Sequence, residues 1–271
     1  MIKLEFNLCE EGSTEHAKIE FFLQDYSPKM PKSEKRGMVI ICPGGGYDHL
    51  SVRESEPLAF KFMAAGYSTA ILSYSVAPAK YPTALYELAR IILMVRRNAE
   101  EWHVDPDNII LQGSSAGGHL TALMGCMWKE QFLKDYLSVD DSELLRPNRL
   151  ILSYPVTTSG KRGHAASFQN LLGNKFDELK DKVSIEKNIN ADFPKTFLWH
   201  TYSDESVPVE GSLLFAITLR KYKIKFEMHI FPEGGHGLAT ADSMTADAAP
   251  ENVRRSCSQW IDLALKWLEL S

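Results

Sequence analysis

The sequence predicts an α/β fold built on a mostly parallel sheet. Short, nearly unbroken apolar runs alternate with longer segments of helical periodicity, as expected for strands buried on both faces and joined by right-handed helical crossovers. The first two runs follow each other with no helix between them, which suits an antiparallel edge. The 271 residues are 44% hydrophobic and 24% charged, ample for one large core. A single domain over 1–271 is therefore expected, with no need for a second.

The strand candidates are an N-terminal run and then 19–23, 38–42, 68–74, 109–111, 150–154, 196–199 and 226–231. Between them, 57–65 reads as a helix with Ser55 as its N-cap and Gly66 just past its end. From Pro82, the residues Leu85, Leu88, Ile92 and Val95 recur at helical spacing, with Arg90, Arg97 and Glu101 elsewhere around the axis. Segments 116–128 and 209–222 are also helical, and Trp260, Ile261, Ala264, Leu265, Trp267 and Leu268 outline a closing amphipathic helix. The stretch 157–192 breaks the alternation. It is polar, carries Gly160, Gly163 and Gly173, and has one short helical patch at 168–172, so it reads as a lid-like insertion.

Charge and cysteine usage narrow the function classes. A formal net charge of -5, with no basic run, argues against nucleic acid as a partner. No stretch approaches the roughly 20 apolar residues of a membrane span, and the first eleven residues lack a signal-type apolar run. Cys9, Cys42, Cys126 and Cys257 lie far apart without ligand spacing, and Cys42 and Cys126 sit in apolar runs as buried thiols would. A reduced, cytoplasmic protein without metal or cofactor is expected, with a small molecule as partner and self-association left open.

The chemistry concentrates in three loops. The apolar strand ending near Gln112 runs into Gly113-Ser114-Ser115-Ala116-Gly117, and an Ala/Leu-rich helix follows. A Gly-x-Ser-x-Gly in strand–turn–helix context puts Ser115 on a sharp turn with its hydroxyl exposed as a nucleophile. The alternative is a serine-rich turn that only caps the helix. Pro43-Gly44-Gly45-Gly46-Tyr47 follows another buried strand. Its glycines let backbone N–H groups approach a substrate oxygen, and with the Ala116 amide they can receive a developing oxyanion. A phosphate loop fits less well, since no Gly-Lys-Ser/Thr follows.

His236 lies in Gly234-Gly235-His236-Gly237, after the last strand, on a loop able to reach an active-site rim and exchange a proton near neutral pH. Asp204 follows the strand before it, where a carboxylate can orient an imidazole. Glu205 is its neighbouring rival; chain order alone cannot separate two adjacent acids, and Asp204 is preferred.

Together PGGGY, GSSAGG, Asp204-x-x-Val207-Pro208 and Gly234-Gly235-His236-Gly237, with the stretch from Tyr81-Pro82 through Asn98-Ala99 to Asp105-Pro106, resemble the α/β-hydrolase superfamily. The likeness runs from about Gly37 to the C-terminus and is closest to the esterase/lipase group, including small acetylxylan-type carbohydrate esterases. That resemblance implies an α/β-hydrolase fold, a triad of Ser115, Asp204 and His236, and oxyanion amides from Gly45, Gly46 and Ala116. One departure stands out: lipase-type members carry His before the glycines, where this chain has Pro43, which lacks an N–H and fixes φ. The absence of a long N-terminal cap also favours the compact carbohydrate-esterase branch. The expected reaction is serine-based hydrolysis of short acyl esters, such as acetyl on a sugar, with a small-substrate peptidase or a non-catalytic module of the same fold as alternatives. Tyr47 and His49 are the substrate-binding candidates, with Trp128, Tyr154 and His164 as further polar or aromatic ones.

Overall fold

A computed structural model describes residues 1–30, 33–246 and 253–271. Among them, eight strands form one sheet: β1 (Ile2–Asn7), β2 (Lys18–Leu23), β3 (Arg36–Cys42), β4 (Ser68–Ser73), β5 (Val104–Ser114), β6 (Arg149–Ser153), β7 (Lys195–Thr201) and β8 (Phe226–Phe231). Their order across the sheet is β1-β2-β4-β3-β5-β6-β7-β8. The β1/β2 and β2/β4 pairs are antiparallel, and every pair from β4 onward is parallel. The expected antiparallel edge and parallel centre are both present.

Among the described residues, ten α-helices accompany the sheet: α1 (Glu56–Ala64), α2 (Thr83–Arg97), α3 (Ser115–Met127), α4 (Gln131–Leu137), α5 (Ala165–Leu172), α6 (Phe176–Val183), α7 (Ile185–Asn188), α8 (Val209–Lys221), α9 (Arg255–Ser258) and α10 (Trp260–Leu270). The two-residue period of the strands distributes their side chains between two cores. Met38, Ile40, Ile109, Leu111, Leu150 and Leu152 face α2, α3 and α8 on one side of the sheet. Val39, Ile41, Ile110, Ile151 and Trp199 face α1 and α10 on the other, where Trp199 stacks on Trp260 at 5.1 Å between ring centroids.

Two local expectations change. Ser55 does occupy the N-cap position of α1, but its hydroxyl donates to the Ser51 carbonyl and caps nothing. The insertion at 157–192 is no loose cover. It carries α5, α6 and α7, and Phe168, Leu171, Leu172, Val183 and Ile185 enter the same core as α2 and α3. Its apolar positions are too sparse in a polar sequence to announce a buried face. The imidazole of His119, wholly buried in α3, fastens the insertion: Nε2–H donates to the Val183 carbonyl at 2.8 Å, and burial lowers its pKa to about 4, so it stays neutral. All four cysteines are free thiols, and all but Cys9 are buried. Among the described residues, no helix is long and apolar enough to cross a membrane.

Candidate active site

The site lies at the C-terminal ends of the parallel strands, where open α/β sheets place their crevices. β5 ends at Ser114, and Ser115 opens α3 with φ +52. A left-handed conformation is costly for a residue with a Cβ and persists only where its surroundings enforce it. Here the enforcement is close backbone contact. A Cβ at Gly113 would lie 2.4 Å from the Gly117 carbonyl oxygen, and one at Gly117 would lie 2.0 Å from the Cys42 carbonyl oxygen. Only glycines let the end of β3, the turn and the start of α3 meet this tightly. Gly117→Ala is therefore expected to destabilise the protein by about 3 kcal/mol, the upper range for overpacking a rigid contact, measurable as a lowered urea midpoint at unchanged slope.

Three side chains from three loops meet above this turn. Ser115 Oγ is 2.7 Å from His236 Nε2, and His236 Nδ1 is 2.6 Å from Asp204 Oδ2. An ionised carboxylate only accepts, so Nδ1 carries the ring proton and Nε2 presents its lone pair to the serine hydroxyl. Asp204 lies just beyond β7 and is buried, whereas Glu205 points to solvent. Asp204 Oδ1 accepts from the amides of Ser206 (3.0 Å) and Val207 (2.9 Å). Burial alone would raise its pKa; hydrogen bonds from His200, His236 and Val207, with the His236 charge, outweigh it and hold the carboxyl well below the usual range.

The glycine loop stands beside the hydroxyl. Gly45 and Gly46 have φ +128 and +65, and a Cβ at Gly45 would collide with the His49 carbonyl oxygen at 2.0 Å. Among the described residues, nothing accepts from the amides of Gly45 or Gly46. Ala116 is the second residue of α3, in the first turn, where helix amides lack an intrahelical acceptor. The Gly44 amide, in contrast, is engaged by Glu54 Oε2 at 2.7 Å. From the insertion, Asn170 Nδ2 donates to the Gly46 carbonyl at 2.9 Å and fixes the far end of the loop.

Ser115, His236, Gly45 and Gly46 border a cavity of about 540 Å³ whose rim includes His49, Arg53, His164, Asn170 and Ser206. A larger recess of about 730 Å³, bordered by Glu233, Asp242 and Arg254, contains none of the groups just described. His164 hydrogen-bonds Ser167 Oγ at 2.8 Å, and burial together with nearby His236 lowers its pKa. His49 sits on the rim with an exposed ring.

Tyr47 is a correction. Its φ of +57 turns the side chain inward, where it is 2% exposed and bonded through its hydroxyl to His119 Nδ1 at 2.8 Å. Trp128 is likewise buried, away from the cavity, with its indole N–H on the Asp192 carbonyl. Tyr154 lies under the site, its ring edge-on to His236 at 5.0 Å. Burial, with the Glu54 charge, pushes its phenol pKa far up, so it remains a proton donor.

Sequence reasoning missed Glu54 and His200. Glu54 is 2% exposed beside the glycine loop. His200, wholly buried in β7, has Nε2 3.2 Å from Asp204 Oδ2 and 3.0 Å from the Val207 carbonyl, so that nitrogen carries a proton and donates to both. Its Nδ1 meets Ser212 Oγ at 2.7 Å. A buried-strand histidine four residues before the candidate acid was the only signal for it.

Residues 23–219 match the family model described as BD-FAE. The endo-1,4-beta-xylanase B of Butyrivibrio fibrisolvens is 36% identical over 219 residues, covering 77% of this chain and 33% of that protein. The chain spans about a third to a half of the length of the curated relatives it matches. Two solved structures align over nearly all of it. An acetyl ester-xyloside bifunctional hydrolase from Caldicellulosiruptor lactoaceticus is 35% identical, with TM-score 0.78 over 94% of this chain and 88% of that one. A carboxylesterase from Lactobacillus plantarum WCFS1 is 28% identical, with TM-score 0.85 over 100% and 98%. The chain therefore belongs to the BD-FAE family and has the α/β-hydrolase fold of these structurally characterised ester hydrolases.

Proposed function

We propose that this protein hydrolyses carboxylic esters of short acyl groups, acetyl foremost, on sugars or similar small alcohols, through an acyl-enzyme on Ser115. The observation that carries the reading is one continuous line of contacts, Ser115 Oγ to His236 Nε2 and His236 Nδ1 to Asp204 Oδ2, beside two glycine amides that no acceptor among the described residues engages.

The chemistry follows from that line. Ser115 Oγ attacks the ester carbonyl carbon as its proton passes to His236 Nε2, and the carbonyl electron pair moves onto oxygen. The amides of Gly45, Gly46 and Ala116 receive that oxyanion, each donor typically lowering the barrier by about 3 kcal/mol. Asp204 stabilises the imidazolium. Collapse of the intermediate breaks the bond to the alcohol oxygen, which takes the proton from Nε2. Water then enters, gives its proton to Nε2 and attacks the acyl carbon; a second collapse releases the acid and returns the proton to Oγ.

The wall chemistry supports the substrate class. Among the described residues, Ala166 and Val207 are the apolar side chains on the cavity wall, and the rest is glycine backbone or polar. A polyhydroxylated alcohol would meet histidine, asparagine, arginine and serine side chains able to hydrogen-bond it. The similarity to a structure named as an acetyl ester-xyloside hydrolase supports the same class.

Two assays test this. Across p-nitrophenyl acetate, butyrate and octanoate, kcat/KM is expected to fall by about tenfold or more, and acetylated xylo-oligosaccharides are expected to release acetate. A preference for octanoate would overturn the acyl assignment. Faster turnover of an aminoacyl anilide than of the acetate would make the protein a peptidase.

A further inference from the structure

The short 3-10 helix Val52–Glu54 touches both loops that the proposed reaction needs. Glu54 reaches inward with both oxygens engaged: Oε2 accepts from the Gly44 amide at 2.7 Å and Oε1 accepts from the Tyr154 hydroxyl at 2.6 Å. The Tyr154 oxygen in turn accepts from the Ala239 amide at 2.9 Å, three residues after His236, while the Tyr154 ring meets the His236 imidazole edge-on. From the adjacent position, Arg53 donates to the Gly237 carbonyl at 2.5 Å. A Cβ at Gly44 would lie 2.6 Å from Glu54 Oε2 and 2.9 Å from the Ser115 Cβ, so carboxylate and nucleophile press on the same glycine.

Burying a carboxylate is costly unless hydrogen bonds compensate it. Neither Gly44 nor Tyr154 carries a charge, so this is no ion pair. What the carboxylate supplies is two acceptor oxygens on one rigid plane, each taken by a different loop. On the esterase reading above, we propose that Glu54 is a positioning residue: it holds the glycine loop and the His236 loop in register, so that oxyanion donors and base stay aligned on Ser115. An amide at this place cannot do the same, because it accepts at one end only and turns an NH₂ toward the other donor.

Glu54→Gln keeps the shape and removes one acceptor. In that variant kcat for p-nitrophenyl acetate is expected to fall about 10- to 100-fold with KM within about twofold, the signature of misalignment by a fraction of an ångström to an ångström. The melting temperature should stay within a few degrees of wild type. Tyr154→Phe, which deletes one hydroxyl, should lower kcat in the same direction, and the double variant should be no slower than the slower single one, because both break one chain of bonds. Glu54→Asp should not rescue turnover, being too short to reach both donors. An independent readout is amide exchange: Glu54→Gln should speed exchange at Gly44 and at Ala239 together. The inference is overturned if kcat stays within twofold in both single variants, if their losses multiply in the double variant, or if Ala239 exchange is unmoved. Wild-type protein without ester turnover would instead overturn the proposed function, leaving the exchange result to decide the positioning.

Discussion

Ser115→Ala is expected to lower kcat for p-nitrophenyl acetate by about 10⁴-fold or more, to the residue of catalysis that binding and an oxyanion site alone supply. The size follows from the geometry. The hydroxyl at 2.7 Å from Nε2 is the group in position both to attack and to lose its proton to the ring. Alanine removes the attacking oxygen and leaves the base with nothing to activate except stray water. The fold should tolerate the change, because the left-handed backbone at 115 is imposed by the contacts of Gly113 and Gly117 and not by the hydroxyl. Melting temperature by circular dichroism, within a few degrees of wild type, separates lost chemistry from lost structure. Equal rates in variant and wild type would identify a silent module of this fold.

Asp204→Asn is expected to give the second-largest loss, about 10⁴-fold in kcat, by reversing the imidazole. Asp204 Oδ2 lies within hydrogen-bond reach of two histidine nitrogens, His236 Nδ1 at 2.6 Å and His200 Nε2 at 3.2 Å, and Oδ1 already accepts from two backbone amides. Those amides pin the asparagine oxygen to the Oδ1 place and turn its NH₂ toward the histidines. His236 must then bond through an unprotonated Nδ1, which puts its proton on Nε2, where it cannot accept one from Ser115. Glu205→Gln, one residue away but solvent-exposed, should stay within twofold of wild type.

The same pair of proteins carries a pH signature. The folded pKa of Asp204 is depressed below its unfolded value of 3.8. Its contribution to stability is thus fully present above that value and is lost as pH falls toward the folded pKa. The gap in melting temperature between wild type and Asp204→Asn should therefore hold from neutrality down to about pH 4 and narrow below it. A gap that widens on acidification would contradict the depressed carboxyl.

Much of this site was readable because its signals are local. The strand–turn–helix around Ser115 needs glycines within two residues of the nucleophile, and the loop of His236 announces itself by flanking glycines. Asp204 could be separated from Glu205 only in three dimensions, where the backbone amides of Ser206 and Val207 close on one carboxylate and leave the other in solvent. Glu54 gave no local sign, since its partners are 10 and 100 residues away and its turn reads as ordinary polar loop. Tyr47 misled for the converse reason: it adjoins the oxyanion glycines in sequence, but its positive φ sends the ring to His119 and Tyr74 in the core. The helices of the insertion were hidden because each is short, and their burial depends on a few apolar residues meeting a surface built by α2 and α3. In the sheet, the apolar runs located the strands but understated β5, which begins at Val104 and carries Asp105, Pro106 and Asp107 before its buried half.

Acyl transfer through the oxygen of Ser115 is tested most directly by acid quenching of the protein within milliseconds of mixing with excess p-nitrophenyl acetate. Peptide mass mapping of the quenched protein should find one acetyl group, on the peptide containing Ser115, absent from Ser115→Ala and accumulating further in His236→Ala if deacylation slows more than acylation. Steady turnover with no acetyl at 115 at any quench time, or with stoichiometric acetyl at another side chain, would contradict the account.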